Sequence, residues 1–329
     1  MRTTLKDIAG RVGVTSQLVS FYLNHPDTQR VAKDTRKKID AAVKELNYQP
    51  NGIARALVSG KTKTIGLIIG GFTQRKRGCF VHELMNAAKK RGYHLLVAIT
   101  NYDQEEERNA LEYMLAQQVD GILYHLYLDP ESQVYARLKE RRYPILMHVP
   151  QACDDFNTIG NDPSAIRSAL VEFLNQGHKR ICYVGGEKDY DFLYFDQYCK
   201  ELGIIASFVL SEPFDQLCSE IEKTGSSAVI FNHGFSADKF YSLRPGSEIV
   251  SVVSYSLPFE YISDHRIIGA IYHDFNRRAD REMEHMIEIV NKPDNPVSCE
   301  LRPSSFLKRE EWRKLYESQC SSSEYELFL

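Results

Sequence analysis

The chain has little that would make it a catalyst, a membrane protein or a disulfide-stapled domain. Its seven cysteines, Cys79, Cys153, Cys182, Cys199, Cys218, Cys299 and Cys320, contain no Cys-x-x-Cys pair. An odd, scattered set in a chain of 329 residues favours reduced thiols over a disulfide frame or a zinc site. No stretch approaches the roughly 20 apolar residues of a membrane span, and the opening MRTTLKDIAG lacks the apolar run of a secretory signal. A cytoplasmic protein is expected. Gly-x-Ser-x-Gly, Walker A, His-Glu-x-x-His and Gly-x-Gly-x-x-Gly sequences are absent, which removes the commonest acyl-transfer, nucleotide, zinc-hydrolase and dinucleotide sites. Asp103, Glu105 and Glu106 suit the positive end of a helix dipole better than a catalytic pair. No enzyme activity, catalytic residue, cofactor or metal ligand is expected.

What is present is an uneven charge. The chain is net −3, but residues 1–63 hold 12 Lys+Arg against 5 Asp+Glu, net +7, which leaves the remainder at net −10. A basic head on an acidic body points to a polyanion met by the head. The length suffices for a large core divided over two to three domains.

In the head, Thr4 and Asp7 have the Ser/Thr-x-x-acid form of a helix start. Leu5, Ile8, Ala9 and Val12 make one apolar stripe, and Gly13 ends it. Thr15 can cap a second helix over Ser16–Leu23, with Val19, Tyr22 and Leu23 inward. Three-and-four spacing places Ser16, Gln17, Ser20 and Phe21 on the opposite face. A third helix, Lys33–Leu46, buries Ile39, Ala42, Val43 and Leu46. Such a unit is a helix-turn-helix domain, whose second helix enters the DNA major groove. Gln17 can pair with adenine, Ser16 can donate or accept, and Phe21 suits a thymine methyl. Pro50 stops the third helix. Ile53, Ala54, Ala56 and Leu57 have the spacing of a two-turn helix too short to stand alone, and Ser59–Gly60–Lys61 reads as a joint.

These residues resemble the lactose-repressor (LacI/GalR) family of bacterial transcription regulators. The resemblance runs through Ala9-x-x-x-Gly13, Val14–Thr15, Val19–Ser20, Leu23–Asn24, Thr35–Arg36, Leu46–Asn47–Tyr48, Pro50–Asn51, Ala54–Leu57 and SGKTKTIGLI at 59–68, almost continuously from 4 to 69. It implies a homodimer on a near-palindromic double-stranded operator, with backbone contacts from Thr4, Ser20, Asn24, Thr35, Arg36 and Asn51. It also implies that 51–59 folds as a hinge helix only on DNA, with Ala54, Arg55 and Leu57 at the minor groove and Leu57 as the wedge. A marginal helix that orders on binding, carrying an apolar side chain that unstacks a base step, is physically coherent. Arg36, Lys37 and Arg55 are candidate phosphate contacts, so affinity is expected to fall steeply with salt. Leu18 stands where the family usually has Thr, and Phe21 where it often has Arg. Arginine would read guanine and phenylalanine cannot, so the operator should differ there.

From residue 64 strands alternate with amphipathic helices, the pattern of parallel sheets wound on both faces. The expected fold is α/β. A helix-turn-helix head (1–49) is followed by a hinge and linker (50–63) and a core of two doubly wound parallel-sheet subdomains (64–307). Two such series place a ligand crevice at the carboxyl ends of the strands. The core resembles the periplasmic-binding-protein-like core of the same family. The resemblance implies a first subdomain of 64–160 plus a segment returning near 275–292, and a second of 161–274 plus 293–307. Residues 308–329 extend beyond the family's usual end. Trp312, Leu315 and Tyr316 share one helical face there, which either docks on the body or a partner or frays.

The ligand-contacting segments depart from the family. TQRKRGCF at 73–80 replaces an Asn-Pro-Phe type of segment, Asp191 stands where Arg is usual, and the expected aspartates are missing at Asn232–His233 and at 254–256. A typical neutral sugar effector is therefore not expected. Arg75, Lys76 and Arg77 suit a phosphate or carboxylate, and Asp191, Asn232, His233 and Tyr255 can complete such a pocket. The expected function is a sequence-specific transcriptional regulator, most naturally a repressor, tuned by a small and anionic effector. The alternative is a family regulator with no small effector that answers to a protein partner.

Overall fold

Thr4 and Asp7 start the first helix, and Gly13 ends it. In the computed structural model α1 (Leu5–Val12) begins where the Thr4 N–H and hydroxyl both donate to the Asp7 carboxylate, at 2.7 and 2.8 Å. Gly13 adopts φ 76° and its N–H closes on the Ala9 carbonyl at 2.9 Å, a left-handed exit that strains any residue with a Cβ. Thr15 caps α2 (Ser16–Asn24), its hydroxyl accepting from the Leu18 N–H at 3.2 Å. Then α3 (Lys33–Glu45) closes the bundle. Ile8, Ala9, Val19, Tyr22, Val31, Ile39 and Ala42 form its buried core, and the Tyr22 hydroxyl reaches Asp40 at 2.9 Å. The structure describes residues 3–49, 56–57, 60–71, 75–126, 133–149, 153–186, 190–211, 213–256 and 264–320. Residues 1–62 make one unit and 63–329 a second.

The second unit opens with β1 (Thr64–Ile69), α4 (Arg75–Lys90), β2 (His94–Ile99), α5 (Gln104–Ala116), β3 (Gly121–Tyr124), α6 (Gln133–Glu140), β4 (Ile145–Met147) and β5 (Asn157–Asn161). There follow α7 (Ser164–Asn175), β6 (Arg180–Gly185), α8 (Tyr190–Leu202), β7 (Ile205–Leu210), α9 (Phe214–Lys223), β8 (Ala228–Phe231), α10 (Gly234–Leu243), β9 (Val250–Ser256) and β10 (Ile267–Tyr272). The chain ends its described course with α11 (Phe275–Asn291), β11 (Cys299–Arg302), β12 (Ser305–Lys308) and α12 (Arg309–Cys320).

Two six-stranded sheets result. The first runs β11-β5-β4-β3-β1-β2 and is parallel throughout. The second runs β12-β10-β9-β8-β6-β7 and is parallel except for its edge strand β12. Strands such as TIGLII and AVIF are apolar almost throughout because helices cover both faces. In the first sheet one face packs Leu84, Met283 and Met286 and the other Leu111, Met114 and Leu138. Gly121 permits α11 to lie close on β3, since a Cβ there would meet Met286 at 2.6 Å. The chain passes between the sheets after β5, again into α11, and finally through Pro303–Ser304.

Several boundaries differ from the sequence pattern. The resemblance puts 293–307 in the second subdomain, but β11 pairs with β5 in the first sheet and only β12 joins the second. The strands at 157–161 and 267–272, β5 and β10, carry little local signal, since both are short runs interrupted by a glycine. The charged run Arg75–Arg77 and Gly78 give no local signal of a helix before about His82. In fact α4 begins at Arg75. A helical Gly78 costs about 1 kcal/mol relative to alanine, and the burial of Phe80, Val81 and Leu84 against the core outweighs it. The tail helix docks: Trp312 is buried against the second sheet with Leu315 partly buried beside it. Residues 321–329 lie outside the described set.

Candidate functional site

Two sets of polar side chains stand out, one on the head and one in the body. On the head, Gln17 near the start of α2 is exposed, and Ser16, Ser20 and Phe21 are half-buried. Phe21 is only partly outward and keeps some of its surface exposed. It packs against the head's core, and its ring centroid lies 5.1 Å from that of His25. Leu18, where a threonine would be polar, also packs on this core. Thr4 and Asn24 are exposed, and Thr35 and Arg36 half-buried. Thr4 spends its hydroxyl on Asp7. The hydrogen bonds from Thr4 hold the Asp7 carboxyl below its usual range, which strengthens the helix start. Asn51, Ala54 and Arg55 lie outside the described residues. Ala56 and Leu57 are helical, the Gly60 N–H reaches the Ala56 carbonyl at 2.8 Å, and Leu57 is 83% exposed. An exposed leucine beside a basic bundle is an apolar group in search of a surface.

In the body, the expected cleft residues divide between the two sheets. Asn232 and His233 follow β8, Asp191 sits in the first turn of α8 after β6, and Tyr255 lies near the end of β9. Because β6, β8 and β9 are neighbours, topology brings these positions to one carboxyl edge. Asp191 and Asn232 are buried and His233 half-buried. The basic run behaves differently from the expected strand-end loop. Arg75, Lys76 and Arg77 form the first turn of α4, where cations oppose the helix dipole. Arg77 donates from Nη1 to the Gly71 carbonyl at 3.0 Å and to the Tyr102 hydroxyl at 2.5 Å, so one end of its guanidinium is already engaged by neutral partners.

A denser cluster lies at the carboxyl edge of the first sheet, and sequence reasoning missed it. Tyr124 and Met147 are register partners, so the next residues, His125 and His148, emerge side by side. Their backbones are pinned, His125 N–H to the Ile68 carbonyl at 2.9 Å and His148 N–H to the Tyr124 carbonyl at 2.8 Å. Their rings lie 4.5 Å apart, with Phe80 stacked on His125 at 5.8 Å. Between them comes Glu282 from α11, 0% exposed. It pairs with His125 Nε2 through Oε1, and with Arg302 Nη1 at 2.5 Å through Oε2. His148 Nδ1 lies 3.4 Å from the same Oε2. Arg302, the last residue of β11, also reaches the Gly160 carbonyl at 3.3 Å and Asn161 at 3.4 Å. Burial alone would raise the Glu282 carboxyl, but His125 and Arg302 hold it well below its usual range. Burial and the neighbouring His125 and Arg302 push His148 down to about 3. The cluster is therefore a buried carboxylate held by an arginine, beside a neutral imidazole. The signal for it was a histidine as the first residue after each of two parallel strands, hidden because the apolar pattern counts both inside the strand.

Comparison with known proteins follows the same division. The family model described as "Bacterial regulatory proteins, lacI family" matches residues 4–51. The "Catabolite repressor/activator" of Salmonella typhimurium is 28% identical over 222 residues, covering 60% of this chain and 66% of that protein. Matches to curated relatives span 43–66% of their lengths, so the chain covers less than two thirds of each. Among solved structures, the Lac repressor dimer bound to operator and the anti-inducer ONPF has a TM-score of 0.79 at 20% identity, covering 95% of this chain and 99% of that one. The Cra dual regulator of Pseudomonas putida, in complex with fructose 1-phosphate, has a TM-score of 0.64 at 16% identity, covering 75% and 98%.

Proposed function

We propose that this chain, whose head matches the lacI family of bacterial regulatory proteins over residues 4–51, is a member of that family and a sequence-specific DNA-binding transcriptional regulator rather than an enzyme. It acts as a repressor, a homodimer on a near-palindromic operator in the cytoplasm, next to the nucleoid. The observation that carries the reading is the head: a capped α2 with Gln17 exposed near its N-terminal end, on a basic three-helix bundle. Such a helix end is what a major groove admits. Ser16, Gln17 and Phe21 read bases, while Thr4, Ser20, Asn24, Thr35, Arg36 and Asn51 hold phosphates. Residues 50–63 form the hinge, with Ala54, Arg55 and Leu57 at the minor groove; the 83% exposure of Leu57 supports a wedge role.

The core, 64–307, supplies the control. Two conformations of the core favour different spacings of the paired heads, and an effector that prefers one shifts operator affinity. A coupling of about 1–3 kcal/mol, roughly 5–150-fold, suffices. We assign the effector to the carboxyl edges of the sheets, at Asp191, Asn232, His233 and Tyr255, with Arg75, Lys76 and Arg77 as the basic side. An anionic sugar derivative fits this set better than a neutral sugar. The Pseudomonas regulator's fructose 1-phosphate complex supports that class.

Unbiased duplex selection at low salt tests the first part. It should return a two-half-site sequence whose affinity falls steeply as salt rises. No preferred duplex, or a strictly monomeric protein at micromolar concentration, overturns it. Calorimetry with sugar phosphates and the matching free sugars tests the second, and binding of a free sugar alone removes the anionic effector. If neither class binds and the operator is still recognised, a protein partner replaces the small effector.

A further inference from the structure

The sequence contains no recognisable metal motif, yet the fold builds a three-ligand set. The ligand atoms of His125, His148 and Glu282 all lie within 4.8 Å of one another. Two imidazoles and one carboxylate are the donor set of zinc-class sites with an open position. We propose that these three residues bind one divalent first-row transition ion of the zinc class.

Each ligand stands on a rigid element. His125 and His148 follow neighbouring parallel strands, and Glu282 sits mid-helix between buried Ala279 and Met283. The edges of a tetrahedron about an ion with 2.0–2.1 Å bonds are about 3.4 Å. Closing the cluster from 4.8 Å therefore takes side-chain shifts of about 1 Å. Arg302 grips Glu282 through Oε2 and is itself tied to Gly160 and Asn161, while Oε1 faces His125 Nε2, so an ion bound by both would take the place of the proton between them. Orienting contacts of this kind are typical around metal ligands. Phe80 stacks on His125, and the Arg278 guanidinium lies 5.1 Å from the Phe80 ring, closing one side. With Arg302 beside it, the bound ion leaves the site net positive, so the open position draws an anion. The site does not depend on the regulatory reading, because metal binding by the purified chain needs neither operator nor effector.

Full-length protein stripped with chelator and titrated with Co2+ and Zn2+ tests the proposal. The expected result is one equivalent bound, with cobalt d–d absorption and no thiolate charge-transfer band. Zinc should raise the melting temperature of the wild type by mass action. His125→Gln and His148→Gln should each weaken binding at least tenfold while keeping the native circular dichroism, and the double variant should lose the thermal shift. Cys299→Ser, at an exposed thiol, should change nothing. Absence of binding at a few equivalents overturns the site in favour of a plain Glu282–Arg302 ion pair. A thiolate band, or full binding by the folded double variant, overturns it in favour of other ligands.

Discussion

Arg266 holds Asp264 through both carboxylate oxygens, at 2.8 and 2.6 Å, and turns its third nitrogen to the carbonyls of Arg244, Pro245 and Ser247 at 3.1, 2.9 and 3.0 Å. One side chain thus fastens the entry to β10 to the turn that precedes β9. The guanidinium also lies 4.2 Å from the Tyr241 ring.

That grip is pH-dependent. Hydrogen bonds from Arg266 lower Asp264 from an ordinary 3.8 to about 2. A depressed carboxyl stabilises the fold above its unfolded pKa and loses that contribution as pH falls through the folded one. Asp264→Asn should cost about 1–2 kcal/mol at neutral pH, allowing for partial solvent screening. In urea melts the gap between wild type and variant should shrink as pH drops from about 4 to about 2. A gap that stays constant over this range refutes the linkage.

Phe21 has no hydrogen bond to offer a base. Phe21→Arg should move the preferred base at its contact position to guanine, by about 1–3 kcal/mol of discrimination. Parallel binding-site selections with the two proteins read this directly, and identical selected sites count against a base contact by residue 21.

Leu57 is exposed and touches little that it would lose. Leu57→Ala should leave body stability unchanged within about 0.5 kcal/mol. Operator affinity should fall roughly 10–100-fold, the equivalent of burying about one leucine. Fluorescence anisotropy with the selected duplex measures it, and unchanged affinity removes the wedge.

Trp312 is 4% exposed, with its ring 5.8 Å from that of Tyr272. Trp312→Ala should destabilise the body by about 3–5 kcal/mol. Trp312→Phe should cost less, partly because the buried indole N–H makes no hydrogen bond among the described residues. As the chain's single tryptophan, it also reports undocking of α12 by its own emission. If the alanine variant unfolds in the same denaturant as wild type, the docking is marginal.

The head was legible because its signals are local. Thr4, Asp7, Gly13 and Thr15 act within a few residues of where they stand, and the stripe Ile8–Ala9 needs no distant partner to be read. The long parallel strands were legible for the opposite reason: burial on both faces leaves apolar runs that nothing else explains. Neither reason applies to β11. It is a four-residue strand, CELR, with Leu301 half exposed, defined only by pairing to a strand far back in the chain. The histidine cluster hid for the same cause, since His125 and Glu282 are 157 residues apart and no local pattern relates them. In the basic run, Gly78 masked a helix start that only tertiary packing reveals.

The final passage through Pro303–Ser304 decides how late in synthesis each sheet can be completed. The first sheet is not complete until Arg302 has been synthesised, long after the central strands of the second. Neither half can therefore mature before the other during translation, and a fragment ending at residue 274 would expose the β3 surface that α11 covers. Nascent chains stalled there should attract holding chaperones, whereas chains released past Lys308 should not.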